Sequence, residues 1–174
     1  MLKHLILIKT KPLNGEATQH FSTPSTAKPL NPLNGAAIYY VSLGSFDTHI
    51  NQEGQQKRLF QELNDAIADF AADMKSNGKW QDVLLTTFSE FGRRVAQNAS
   101  GGTDHGTANN MLFVGGGLRQ KGLLNAMPDL SDLDQGDLRH QIDFRRVYAI
   151  LLEKWLEADA EKILLQPFPL LNFV

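Results

Sequence analysis

The chain has 174 residues, about the size of one domain, with 17 Lys and Arg against 19 Asp and Glu for a formal charge of −2. That balance leaves no electrostatic footprint for nucleic acid, and the absence of cysteine excludes disulfides, zinc fingers and thiolate chemistry. Any metal must therefore sit on carboxylate, imidazole, hydroxyl or water, a donor set that favours zinc, manganese, magnesium or calcium.

Leu5-Ile6-Leu7-Ile8 is the first apolar run. It is shorter than the ~7–15 residues of a signal-peptide core, and Lys9 and Lys11 follow at once. No later run reaches the ~18 apolar residues of a membrane helix. The expectation is no membrane span and, by default, a cytoplasmic location. From Thr10 to Asn34 the chain is rich in Pro, Ser, Thr and Asn, with Pro12, Pro24, Pro29 and Pro32 spread through it. Proline removes a backbone donor and disfavours helix at the preceding residue, so residues 1–34 read as an irregular arm and 35–174 as the ordered domain.

Ala36 to Leu43 is β-branched and aromatic with few polar atoms, the pattern of a strand covered on both faces. Between Gln55 and Asn77, Leu59, Phe60, Leu63, Ile67, Phe70, Ala71 and Met74 recur with helical period. Gly78 stands where a left-handed C-terminal cap belongs. Val83 to Phe88 predicts a second strand, and Met111 to Val114 a third, closed by a turn at Gly115-Gly116-Gly117. From Asp143, a candidate N-cap, the pattern is helical again, with Phe144, Val147, Tyr148, Leu151, Leu152 and Trp155 on one face. Strand–helix–strand spacing of this kind implies a right-handed crossover and parallel strands. The expected architecture is α/β, with helices layered on a mainly parallel sheet.

Ligands of such sheets lie beyond the carboxyl ends of the strands, which directs attention to two acidic-histidine pairs and a glutamate. Asp47-Thr48-His49 follows the first strand. Alternate residues of a loop can point the same way, so the pair can give one carboxylate and one imidazole to a single ion; equally, Asp47 can cap the following helix beside an exposed His49. Glu90 follows the second strand. Asp104-His105 lies in a loop with Gly101, Gly102 and Gly106, where glycine permits close backbone approach; the plain alternative is a polar turn. Asp47, His49 and His105 together would make three protein ligands with an open position, the arrangement of a catalytic zinc site. Arg93 and Arg94 are either an anion clamp or ordinary surface charges. Asn98-Ala99-Ser100 matches a glycosylation acceptor, uninformative without an export signal.

Four ordered motifs, SLGSFDTHINQ (42–52), TFSEFGRR (87–94), SGGTDHGTA (100–108) and DFRRVYAILLEKWL (143–156), resemble the DUF1501 family, over roughly four fifths of the chain. That family is placed in the alkaline phosphatase-like superfamily. The resemblance implies a three-layer αβα fold with a mainly parallel sheet, here its carboxyl-terminal half. It also implies two divalent metals at the strand ends and hydrolysis of phosphate or sulfate esters through a Ser, Thr or formylglycine nucleophile. By position, Asp47 and His49 resemble the ligand pair of one metal and His105 its third ligand. Glu90 falls at the other metal and Arg93 on the anion side, with Asp104 a further candidate ligand. The pattern departs in three ways. Asp47 and His49 are closer in sequence than the superfamily's usual pair, Phe91 replaces the second pair's histidine, and nothing in residues 1–34 matches the family's nucleophile. The resemblance also implies longer relatives exported by a twin-arginine signal. Two functions follow: part of a metal-dependent ester hydrolase, or a non-catalytic metal-binding or interaction module.

Overall fold

The structure, a computed structural model, describes residues 38–174 together with the backbone strand at residues 4–8. The other residues of the 1–34 arm lie outside the described residues. In chain order the elements are β1 (His4–Ile8), β2 (Ile38–Ser42), α1 (Gln52–Ser76), a 3₁₀ turn (Trp80–Asp82), β3 (Leu84–Phe88), β4 (Gly92–Gln97), β5 (Thr103–Gly106), β6 (Phe113–Gly115), β7 (Leu133–Asp134), β8 (Asp137–Leu138), α2 (Phe144–Ile150), a π-helical turn (Leu151–Trp155) and α3 (Ala160–Leu164).

β3 anchors the core because both of its faces are buried. Val83 and Leu85 point to one side, where they meet Leu59, Leu63, Phe70 and Met74 of α1 and Phe46. Leu84 points to the other side, against Val147, Ile150, Leu151, Phe173 and Val174. This is the period-two alternation of a strand with apolar layers on both sides. At about 25 cal/mol per Å² of buried apolar surface, each of these side chains contributes roughly 1.5–3 kcal/mol.

The expectation of a mainly parallel sheet is corrected. The main sheet runs β2-β1-β3-β6, and every adjacent pair in it is antiparallel: β1 with β2, β1 with β3, and β3 with β6. The two smaller sheets, β4-β5 and β7-β8, are antiparallel hairpins. The three-layer αβα form with a mainly parallel sheet is therefore not the fold of this chain. For two of the three pairs the cause is the run Leu5-Ile6-Leu7-Ile8, while β6 returns antiparallel to β3 on its other side. That run inserts as β1 between β2 and β3, which share a direction but never pair. A near-continuous apolar run carries no information about the direction of its neighbours, nor does it guarantee cover on both faces: in β2, Ile38 and Tyr40 are 52% and 57% exposed.

Local expectations fared better. α1 ends in a Schellman cap: Gly78 takes φ +66°, its N–H donates to Lys75 O at 3.1 Å, and Lys79 N donates to Met74 O at 2.8 Å. Asp143 caps α2 by accepting from Arg145 N at 2.9 Å. The buried face of the last helical segment is Val147, Ile150 and Leu151, whereas Phe144 is 58% exposed and rests edge-on against Tyr148. α2 gives way to the π-helical turn at Leu151, which shifts the face that straight helical spacing assigns. Among the described residues, no helix is long and apolar enough to cross a membrane.

Hydrogen bonds from Arg145 hold the Asp143 carboxyl down at about 2. A depressed carboxyl adds stability above its ordinary value and loses it as pH falls through the folded value. Asp143→Ala is expected to cost about 1 kcal/mol of unfolding free energy near neutral pH. Urea titrations of both proteins should show that gap narrowing from about pH 4 toward about pH 2; a gap constant with pH contradicts the cap assignment.

Candidate metal centre

The loop after β2 sorts its side chains by burial. Phe46 is wholly buried and packs edge-on against Phe60, with centroids 5.5 Å apart. Thr48 is 4% exposed, and its hydroxyl accepts from Gln56 Nε2 of α1 at 3.0 Å. With residues 46 and 48 pinned inward, Asp47 and His49 turn outward together, as alternation along the loop predicted.

The other half of the site is the β4–β5 hairpin, where His105 pairs with Arg93 and Gly106 with Gly92. The start of α1 is bound to the tip of this hairpin. Asn51, in the left-handed region at φ +46°, makes no side-chain cap. Instead, Asn51 N donates to Ser100 O and Gln52 N to Gly101 O, both at 3.1 Å, so hairpin carbonyls satisfy donors that a helix start leaves unpaired. Gln52 Oε1 in return accepts from Thr103 N at 2.7 Å and Thr103 Oγ1 at 3.0 Å. Arg93 spans the two halves, donating from Nη1 to Thr103 O at 2.6 Å and from Nη2 to Phe46 O at 2.7 Å. Burial pulls its guanidinium down from the ordinary value, while Asp47 and Asp104 pull it up; an arginine stays charged under either influence.

Across this joint three donor atoms converge. Asp47 Oδ1 lies 2.7 Å from His105 Nε2 and 3.2 Å from His49 Nε2, and the two imidazole nitrogens are 3.2 Å apart. The hydrogen bond to His105 holds the Asp47 carboxyl below its usual value, against a smaller desolvation effect and with help from both histidine charges. Each of the three side chains is 44–45% exposed, so the cluster opens to solvent. Among the described residues, this is the one group of three or more acidic and histidine side chains close enough to share an ion. Three lone-pair-bearing atoms brought this close require a proton or a cation among them. Tetrahedral zinc, with bonds of about 2.0–2.1 Å, sets its donors about 3.3 Å apart. The spacing found here is near that edge, so the donor set fits a divalent cation.

The remaining predicted residues lie outside the converging group. Glu90 is exposed in the turn between β3 and β4 and falls outside the converging group. Asp104 lies on the far side of His49, with Oδ1 3.7 Å from Nδ1. Arg93 is occupied by backbone carbonyls and braces the site. Phe91 stacks on the His105 ring at 3.8 Å and 9° and fixes its plane. Sequence reasoning missed Asn98. Its Oδ1 accepts from Ser100 N and Gly102 N, both at 3.0 Å, and its Nδ2 donates to His49 O at 3.1 Å. The Asn followed by Gly101-Gly102 signals a tight turn, but only the fold shows what that turn holds.

The chain thus combines helices with antiparallel sheets, and its solvent-facing Asp-His-His cluster is built at a helix–hairpin joint. A family model described as "Protein of unknown function (DUF1501)" matches residues 33–152, more than half of the chain and all of the cluster, and the chain belongs to that family. Comparison with curated proteins and with solved structures gives no match.

Gly102 is essential to the joint, since a Cβ there would stand 2.4 Å from His49 O and 2.6 Å from His49 C, both backbone atoms. Gly102→Ala should lower the unfolding free energy by about 1–3 kcal/mol and shift the His49 and His105 ring resonances. An unchanged urea midpoint with unshifted rings contradicts this packing.

Proposed function

We propose that this chain binds one divalent cation, zinc before the others, through Asp47, His49 and His105. The observation that carries this reading is the convergence of Asp47 Oδ1, His49 Nε2 and His105 Nε2 to within 3.2 Å of one another. Two imidazoles and one carboxylate suit zinc better than the all-oxygen shells of magnesium or calcium. Three protein ligands at a half-exposed site leave a position for water or substrate, the pattern of catalytic zinc. A cation held there supplies Lewis acidity and an activated water to ester hydrolysis.

On this reading proteins of this family hydrolyse phosphate or sulfate esters, in line with the motif resemblance to alkaline phosphatase-like enzymes. This chain's residues hold and orient: Asp47 supplies charge, Phe91 fixes the His105 ring, and Arg93 ties the Asp47 loop to β5. One observation favours a second reading, a metal-binding module without turnover. Both terminal nitrogens of Arg93 are committed to Thr103 O and Phe46 O, which removes them from the clamp that a transferred anion requires.

Zinc titration of the full chain against a chromophoric chelator tests the binding claim. One equivalent is expected for the wild type and none for His49→Ala combined with His105→Ala, with affinity falling on acidification because an imidazole must be neutral to ligate. Equal, negligible uptake by both proteins refutes the reading. Aryl phosphate and aryl sulfate turnover by the zinc-loaded protein, abolished by chelator, selects the hydrolase; stoichiometric zinc without turnover selects the module.

A further inference from the structure

Asp104 sits where a fourth metal ligand is naturally sought, but its carboxylate is turned to the other side of the His49 ring. His49 presents Nε2 to Asp47 and His105, each at 3.2 Å, and Nδ1 to Asp104 Oδ1 at 3.7 Å. The ring is bracketed by two carboxylates on its two nitrogens. An imidazole that binds a cation through Nε2 must carry its proton on Nδ1, and a carboxylate beside that proton fixes both the tautomer and the ring plane.

The position of Asp104 is itself set by the hairpin. Asn98 Nδ2 donates to His49 O at 3.1 Å and lies 3.4 Å from Asp104 Oδ1, so a single amide group holds the backbone of His49 and the carboxylate facing its ring. Asn98 is in turn locked, because Oδ1 receives Ser100 N and Gly102 N while its own N–H donates to Gly102 O at 2.8 Å. The turn that binds the start of α1 therefore also aims the carboxylate at His49.

We propose that Asp104 is a positioning residue of the metal centre: its carboxylate, 3.7 Å from His49 Nδ1, electrostatically favours the proton on that nitrogen, commits Nε2 to the cation and, through Asn98, makes this orientation a property of the β4–β5 turn. The inference rests on the metal-binding reading and goes beyond it by giving Asp104 a role outside the ligand set.

The test uses zinc alone and the full chain. Asp104→Ala should weaken zinc binding by about 10–100-fold, as loss of an outer carboxylate typically does. Asp104→Asn, whose amide oxygen keeps a partial negative charge there, should weaken it less. Asp104 is 66% exposed, so both variants should keep the metal-free melting temperature of the wild type. In ¹⁵N-labelled, zinc-loaded wild type, His49 should show a slowly exchanging Nδ1–H that disappears in Asp104→Ala. Zinc affinity in Asp104→Ala within about twofold of wild type overturns the proposal, as does Asp104→Asn binding as weakly as Asp104→Ala, which would make Asp104 a ligand or a mere bulk charge. If wild type binds zinc normally in those experiments, the metal centre itself stands; a wild type that takes up no zinc sinks both.

Discussion

The seating of the α1 N-terminus on the tip of the β4–β5 hairpin is the constraint on which the site depends. It joins Asp47 and His49 to His105 across 58 and 56 positions of sequence. Asn51 and Gln52 lack a side-chain cap, so the hairpin carbonyls of Ser100 and Gly101 accept from their N–H groups. Each such bond contributes about 0.5–1.5 kcal/mol net, and a buried donor left without it costs about 1–3 kcal/mol. The bonds from Thr103 to Gln52 and from Arg93 to Phe46 and Thr103 repeat the same joint from other directions. A joint closed by many small contributions holds two loops in register better than any single ion pair on an exposed surface.

Beneath the joint, the sheet and helices supply rigidity rather than chemistry. Phe46 and Thr48 anchor the ligand loop to α1, and α1 packs on β3 through Leu59, Leu63, Phe70 and Met74. The cluster stays exposed because its backbone neighbours, not its own side chains, are buried.

Legibility followed range. Features written over a few residues were read correctly: the helical period of α1, the left-handed Gly78, the Asp143 cap and the outward alternation of Asp47 and His49. Sheet direction was not, because it turns on His4–Ile8 inserting between two strands whose own sequences say nothing of it. Asp47, His49 and His105 could be singled out by residue type and motif. The places of Asp104, Asn98 and Arg93 depend on which way each side chain leaves a twisted, bulged hairpin, and short-range sequence patterns do not encode that direction. Glu90 was drawn into the same site by its place after a strand; β2 and β3 do end at one rim, with Ser42 and Phe88 both opposite His4, but Glu90 falls outside the converging group.

The central claim is that one cation is held by two imidazoles and a carboxylate at this joint. Zinc-edge X-ray absorption of the full chain loaded with one equivalent of zinc tests it most directly. The account predicts a light-atom shell at about 2.0–2.1 Å, with outer-shell scattering from two imidazole rings that is lost in His49→Ala together with His105→Ala. A shell without imidazole scattering, or one unchanged in that double variant, contradicts it.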